Sequence, residues 1–375
     1  MGIFALQGGE EVKGLLSTKP IFYKQDQQFQ MINIGFVGAG AATATAAFAL
    51  NRGLEGASFT VLEKSGGLGG RAATRRRGDV TYDYGANYVK DADDRVVGLL
   101  TETLDTEGLV DIAEPIYTFD GDGTVSEGRD AAEHKWSYEQ GLTQIAKRLF
   151  ARTDATIHRN TRATALHHDG DLWHVIDDSD QRWGPFDGLI LNPPAPQSAD
   201  LLANSSWDAP LKNDLISALG DVEFRTIWTA LLHYPFRLDL PYYALVNAGK
   251  DHHIGWISRE ECKRGHVPDG ESLLIVQANH DWSVEHYDDP PAENVAQLAN
   301  LTAAILGDDR LKDPDWTDYQ SWRYAQPEAS APTDLVAEAE AHSLYFIGDW
   351  TVGTPRLHAA LRGGLELGDR LCKSL

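Results

Sequence analysis

From Met31 onward the apolar positions fall into short runs separated by turn residues. The run Ile32–Val37 is continuous, as a strand buried on both faces requires, and the small residues Ala41–Arg52 follow with helical character. A second run, Ser58–Leu62, completes a β-α-β unit. Beyond a loop rich in Gly and Arg (Glu63–Val89), the pattern predicts a helix around Val96–Leu104 and a short β region over Asp111–Glu127. "SYEQGLTQIAKRLFAR" reads as one amphipathic helix, and "ATIHRNTRATALHHDGDLWHVIDD" as a hairpin turning at Asp169-Gly170. "FDGLILNPPAP" reads as a buried parallel strand halted by prolines. Residues 205–320 are richer in aromatics and alternation, as a substrate-side sheet would be. "LYFIGDW" is one more buried strand, and "LHAALRGGLELGDRLCKSL" is the closing helix. The expected fold is α/β. A nucleotide domain is assembled from 31–90, 136–200 and 321–375, and a mixed-sheet substrate domain from 91–135 and 201–320.

Charge alters the expected partners rather than the fold. Among 375 residues, Asp and Glu number 56 and Lys and Arg 33, a net charge of −23. Such an excess argues against nucleic acid or an anionic membrane as partner. It reads as adaptation to a salt-filled, halophilic cytoplasm, where charges are screened within a few ångströms. Residues 1–30 are charge-balanced and Met31 stands directly before the first strand, so the first thirty residues are expected to be an N-terminal extension with little structural role. Cys262 and Cys372 are too few for a disulfide framework and show no metal spacing, which fits a reducing cytoplasm. The pairs His167–His168 and His252–His253 lack further ligands, so no metal site is expected. No apolar run is long enough to span a bilayer.

The chemistry starts at "VGAG". Gly38 allows a tight turn out of the first strand, and Gly40 lets backbone amides approach a pyrophosphate at the start of the helix, at Ala41 and Ala42. Thr43 stands where the fingerprint has its third glycine. Glu63, followed by Lys64, ends the second strand 25 residues after Gly38, near the ~20-residue spacing at which an acid accepts hydrogen bonds from ribose hydroxyls. Its competing reading is a solvated loop carboxylate. "GGLGGR" then offers a loop nearly free of side chains through Gly70, with Arg71 placed to pair with a pyrophosphate. Arg75–Arg77 could form a second anion site, but such a run is more often a solvated face.

Taken in order, "VGAG", "EKSGGLGGRAAT", "DYGANY", "NPPAP", "WRYAQP" and "FIGDW…LHAALRGGLELGDRL" resemble the FAD-dependent amine oxidase superfamily, most closely its renalase-type branch, from Met31 to Leu371. The resemblance implies a Rossmann-type FAD-binding domain and non-covalent FAD. It implies that Gly348 and Asp349 bind the pyrophosphate and ribityl chain, and that the final helix, from Leu357 and His358, points its amino end at the flavin pyrimidine. Ala163 takes the place that reads adenine through its backbone, and Asn87 and Tyr88 lie beside the isoalloxazine.

Amine oxidases of the superfamily typically hold a water near flavin N5 with a lysine, for which Lys250 and Lys263 are candidates by default. A dihydronicotinamide donor mainly needs alignment in an aromatic slot. This fits the renalase-like branch, which resembles an oxidase of dihydronicotinamide isomers with oxygen as final acceptor. Tyr88, Trp256, Gln277, His280, Trp322, Arg323 and Trp350 are the candidates for that slot, Trp and Arg stacking on or clamping a planar anion. Most aromatics in such a region are simply core. The rival functions are an amine, porphyrinogen or isoprenoid oxidoreductase on the same scaffold, and a flavin-binding protein without turnover. The donor, the acceptor and the oligomeric state are left open.

Overall fold

The protein's structure, a computed structural model, describes residues 31–128 and 133–374; the expected N-terminal extension lies outside the described residues. Five strands form a parallel sheet in the order Thr156–Arg159, Ser58–Glu63, Asn33–Val37, Gly188–Leu191, Leu344–Phe346. The chain order reverses beside Asn33–Val37, which places a crevice at the carboxyl ends of these strands. Both faces of the sheet are covered, so Leu189, Ile190 and Leu191 are fully buried and the apolar runs are continuous rather than alternating.

Helix Ala41–Gly53 packs on the closing helix Leu357–Ser374 at a distance set by glycine. A Cβ at Gly364 would stand 2.1 Å from Thr45 Oγ1 and 2.2 Å from the Ala42 carbonyl, and one at Gly368 would stand 2.5 Å from Ala49 Cβ. The close approach that a third fingerprint glycine would permit is thus made from the opposite helix. Thr43, fully buried, turns its hydroxyl to the Gly38 carbonyl at 2.7 Å.

A seven-stranded mixed sheet forms the second layer, in the order Trp316–Pro327, Phe224–Tyr234, Ser272–Ala278, Ile254–Arg259, Ala244–Asn247, Ile116–Phe119, Val125–Ser126. One pair, Ala244–Asn247 with Ile116–Phe119, is parallel. Strand Trp316–Pro327 runs across residue 321, the expected domain boundary, and pairs with Phe224–Tyr234.

Two local expectations are corrected. The predicted helix over "SYEQGLTQIAKRLFAR" begins only at Thr143; Lys135–Tyr138 is a strand paired with Val89–Lys90 and Leu109–Asp111. Gly141, at φ +82, separates strand from helix, and a Cβ there would meet Thr74 at 2.2 Å. The predicted hairpin is two structures: Thr156–Arg159 joins the parallel sheet, and only Ala163–Asp169 and Leu172–Asp177 pair across the turn. Helix Asp94–Gly98, capped by Asp93, continues as a π-helical turn over Leu99–Thr103.

Candidate active site

The glycine turn is held from three sides. Gly38 has φ +90, a conformation glycine adopts without strain, and donates its N–H to Leu62 O at 2.8 Å. Glu63, buried at the end of the neighbouring strand, accepts from Ala39 N–H at 2.7 Å and from Ser65 N–H at 2.8 Å, with the Ser65 hydroxyl on the same oxygen. Gly69 N–H donates to Ala39 O at 2.9 Å, joining the second glycine loop to the first, and Gly40 has no room for a Cβ because Asn192 Oδ1 would lie 2.4 Å away. Asn192 also donates from Nδ2 to Ile347 O at 3.0 Å, tying the ends of two parallel strands together. A Cβ at Gly67 would meet nothing within 4 Å, so this glycine borders open space.

Arg71 leaves the glycine loop and forms a two-pronged pair with Asp349, at 2.6 and 3.0 Å, plus a bond to Ala325 O at 2.8 Å. The expected pyrophosphate partner is therefore already bracing the Gly348–Asp349 segment, with three of its donor contacts made inside the protein. Gly348 has φ +144, and a Cβ there would press on Trp350 at 2.9 Å. Arg75, Arg76 and Arg77 lie on strand Thr74–Arg77. Arg75 bonds Asp318 at 3.0 Å and lies 4.1 Å over the Tyr84 ring, and Arg77 lies 4.7 Å over Trp316. That run clamps the hairpin to the seven-stranded sheet.

A cavity of about 1870 Å³ opens between the two sheets. It exceeds the ~300–1,000 Å³ of an ordinary ligand pocket, which leaves room for a dinucleotide and a second molecule. Gly38, Gly40, Ala41, Ala42, Glu63, Lys64, Gly70, Arg71, Asn87, Ala163, Gly348, Asp349, Leu357 and His358 all border it, as do Tyr88, Trp256, Gln277, His280, Trp322 and Arg323. Asn192, Tyr84, Arg225 and Lys250 border it too; of these the sequence reading offered only Lys250, and only by default. The signal for Asn192 was its place just past a parallel strand, before two prolines.

One wall of the cavity is an aromatic slot. Tyr88 lies 6.4 Å from Trp256 and 6.2 Å from Tyr243, centroid to centroid, and Tyr84 stacks on Trp322 at 5.4 Å. The loop between Tyr84 and Tyr88 is pinned by Gln277, which donates to Gly85 O at 2.9 Å, by Trp322 Nε1 to Tyr84 O at 3.2 Å, and by Ser258 Oγ to Asn87 Oδ1 at 3.0 Å. Burial pushes the Tyr88 hydroxyl above the ordinary tyrosine range, outweighing Arg356, so the group remains a phenol. His358 is pushed below the ordinary histidine range by burial and by Arg356 and Arg362, and its Nδ1 has no hydrogen-bond partner among the described residues. Trp256 Nε1 is likewise unpartnered among them. These orphaned atoms and the side-chain-free glycine cradle fit a long dinucleotide cofactor that supplies polar groups of its own.

Two candidates lie elsewhere. Trp350 is fully buried core, bonding Pro193 O at 3.1 Å, and is absent from the slot. Lys263 is also fully buried, with Nζ 3.0 Å from Asp83 and 2.8 Å from Glu260. His266 completes this cluster, facing Glu260 Oε2 at 2.7 Å with Nδ1 and Tyr138 O at 2.9 Å with Nε2. Asp83, Glu260 and His266 stand close enough to share a metal, but the Lys263 ammonium already supplies a cation there. Desolvation opposes its charge, and the two carboxylates overcome it, holding Lys263 well above the usual lysine range.

Residues 37–103 match the family model of the NAD(P)-binding Rossmann-like domain, and residues 124–371, more than half of the chain, match that of flavin-containing amine oxidoreductases. Among solved structures, the fold is similar to a protein of Exiguobacterium sp. 255-15 described provisionally as a protoporphyrinogen oxidase. That likeness has a TM-score of 0.74 and 13% identity, over 92% of this chain and 99% of that one. Cyclohexylamine oxidase from Brevibacterium oxydans IH-35A matches with a TM-score of 0.69 and 14% identity, over 92% and 99% of the two chains. Putrescine oxidase bound to putrescine matches with a TM-score of 0.66 and 12% identity, over 92% and 98%. At such identities the likeness is one of fold.

Proposed function

The chain belongs to the flavin-containing amine oxidoreductase family and is an FAD-dependent oxidoreductase, and from that premise we propose that it takes hydride from a small planar donor, a dihydronicotinamide isomer. One observation carries this reading: the slot is walled by the rings of Tyr84, Tyr88, Trp256 and Trp322 and the amide of Gln277, none of them a base at neutral pH. Tyr88 is kept a phenol by burial, and Lys263 is sealed between Asp83 and Glu260 instead of reaching the cavity. A dihydronicotinamide gives up hydride without needing its proton removed, so alignment is the main task of the protein. FAD supplies the two-electron acceptor, which oxygen or another oxidant regenerates.

In this reading Tyr88 and Trp256 fix the plane of the donor, and Gln277 and Trp322 act as positioning residues by holding the Tyr84–Tyr88 loop. Glu63 takes the adenosine end of FAD, with one lone-pair site of its carboxylate still free beyond its three bonds. Arg71 serves through Asp349. Leu357 and His358 present the amino end of the closing helix to the flavin pyrimidine, where its partial positive charge stabilises negative charge. The second reading, a porphyrinogen oxidase, rests on the size of the cavity, which accommodates a tetrapyrrole.

Anaerobic stopped-flow mixing tests the proposal. Dihydronicotinamide isomers are expected to bleach the bound flavin in a single saturable phase, with colour restored on admitting air. Bleaching by cyclohexylamine, putrescine or protoporphyrinogen, with no response to any dihydronicotinamide, overturns it.

A further inference from the structure

The acidity of this chain is inverted inside the cavity. Overall, acids outnumber bases 56 to 33, yet the cavity is bordered by twelve Lys and Arg against five Asp and Glu. The FAD pyrophosphate accounts for part of that surplus at the end walled by the parallel sheet. It does not account for the other end, at the mouth beside the seven-stranded sheet. There Arg225, from strand Phe224–Tyr234, pairs with Glu328 just past strand Trp316–Pro327. Arg225 above all holds that carboxylate below the usual glutamate range, and Lys250 adds to the effect. Two cations from separate segments thus act on one acid, His280 adjoins them through its bond to the Thr226 N–H beside Arg225, and Arg323 lies on Trp316–Pro327, 4.7 Å over the Tyr287 ring.

Three details describe how the cluster is held. Lys250 has φ +57, a left-handed conformation that glycine or asparagine would take at lower cost, and a lysine stands there all the same, exposed at the cavity edge. His280 Nδ1 accepts the Thr226 N–H at 2.9 Å, so its Nε2 carries the remaining donor. Arg225 is bonded to Glu328 through Nε, which leaves its terminal nitrogens for another acceptor.

We propose that Arg225, Lys250 and His280 form an anion subsite at the cavity mouth that binds the phosphoryl group of the donor, making the substrate a nucleotide rather than a free amine or a neutral riboside. Arg225 lies on the strand paired with the one that carries Gln277, His280 opens the helix just after that Gln277 strand, and Lys250 precedes the strand that carries Trp256, so slot and mouth adjoin on one sheet and the ring and the phosphate are taken as parts of one molecule. This inference rests on the dihydronicotinamide reading for the ring and on the mouth residues alone for the phosphate.

The test uses the FAD-loaded enzyme and two donors that share a ring and differ by one phosphate: dihydronicotinamide mononucleotide and dihydronicotinamide riboside. The mononucleotide is expected to reach half-maximal flavin reduction at a roughly ten-fold lower concentration. In Lys250→Gln and Arg225→Gln that advantage is expected to fall about three-fold or more in each, and added salt is expected to shrink it in the wild type. Equal half-saturation for the two donors, or an advantage that survives both substitutions, overturns the subsite and leaves the hydride reading standing. A separate titration with oxidised nicotinamide mononucleotide, read as a perturbation of the flavin absorption band, keeps the two proposals apart. If no dihydronicotinamide reduces the flavin but the mononucleotide still perturbs the band and loses this in the variants, the subsite stands and the donor assignment falls. If neither donor reduces the flavin and the mononucleotide leaves the band unmoved, both fall.

Discussion

At the scale of single residues, Glu63 and Lys263 behave in opposite ways. Glu63 was legible because a βα turn leaves one position for an acid at the end of the second strand, and its carboxylate caps Ala39 N–H there. Lys263 was not, because nothing in "REECKRG" says that its amine turns inward to meet Asp83, which lies 180 positions away in sequence. Both charges are fully buried, so removing one partner strands the others. Lys263→Met is expected to lower unfolding free energy by about 3–5 kcal/mol, measured by urea denaturation. A loss under about 1 kcal/mol would show that the cluster contributes no more than a surface pair does. Thr43 illustrates a departure that sequence could flag but not resolve: the hydroxyl that breaks the fingerprint finds Gly38 O, a partner set by the fold of the turn.

At the scale of elements, the strands of the parallel sheet and the closing helix were readable because their apolar runs are continuous and buried on both faces. The run containing Ser137 misled because an amphipathic strand, a positive-φ glycine and a short helix together mimic one longer helical period. The contact between helices Ala41–Gly53 and Leu357–Ser374 sets where both amino ends stand at the cofactor cavity. A methyl group at Gly364 would press on backbone at Ala42, which has little freedom to move. Gly364→Ala is expected to weaken FAD binding at least ten-fold and to lower the melting temperature by several degrees, read by flavin fluorescence titration and a thermal melt. An unchanged FAD affinity would mean that the helix spacing does not set the cradle.

At the scale of the whole molecule, sequence gave the order of the pieces while the structure shows what their convergence makes. Segments ending at Glu63, Asn192 and Asp349 meet at one end of the cavity, and the seven-stranded sheet brings Trp256 and Gln277 to the other. The surface carries the acidic excess and the cavity carries bases, a contrast invisible to composition because it depends on which side chains face inward. The central claim is that this assembly aligns a donor and leaves proton removal out of the reaction. Tyr88 is shifted up from the ordinary 10.0 and His358 down from 6.5, so between those limits neither group changes its ionisation. The limiting rate of flavin reduction by a dihydronicotinamide isomer, measured anaerobically across that interval, is therefore expected to stay flat within about two-fold. A rate that climbs ten-fold per pH unit through the interval would reveal an obligatory base and contradict the account.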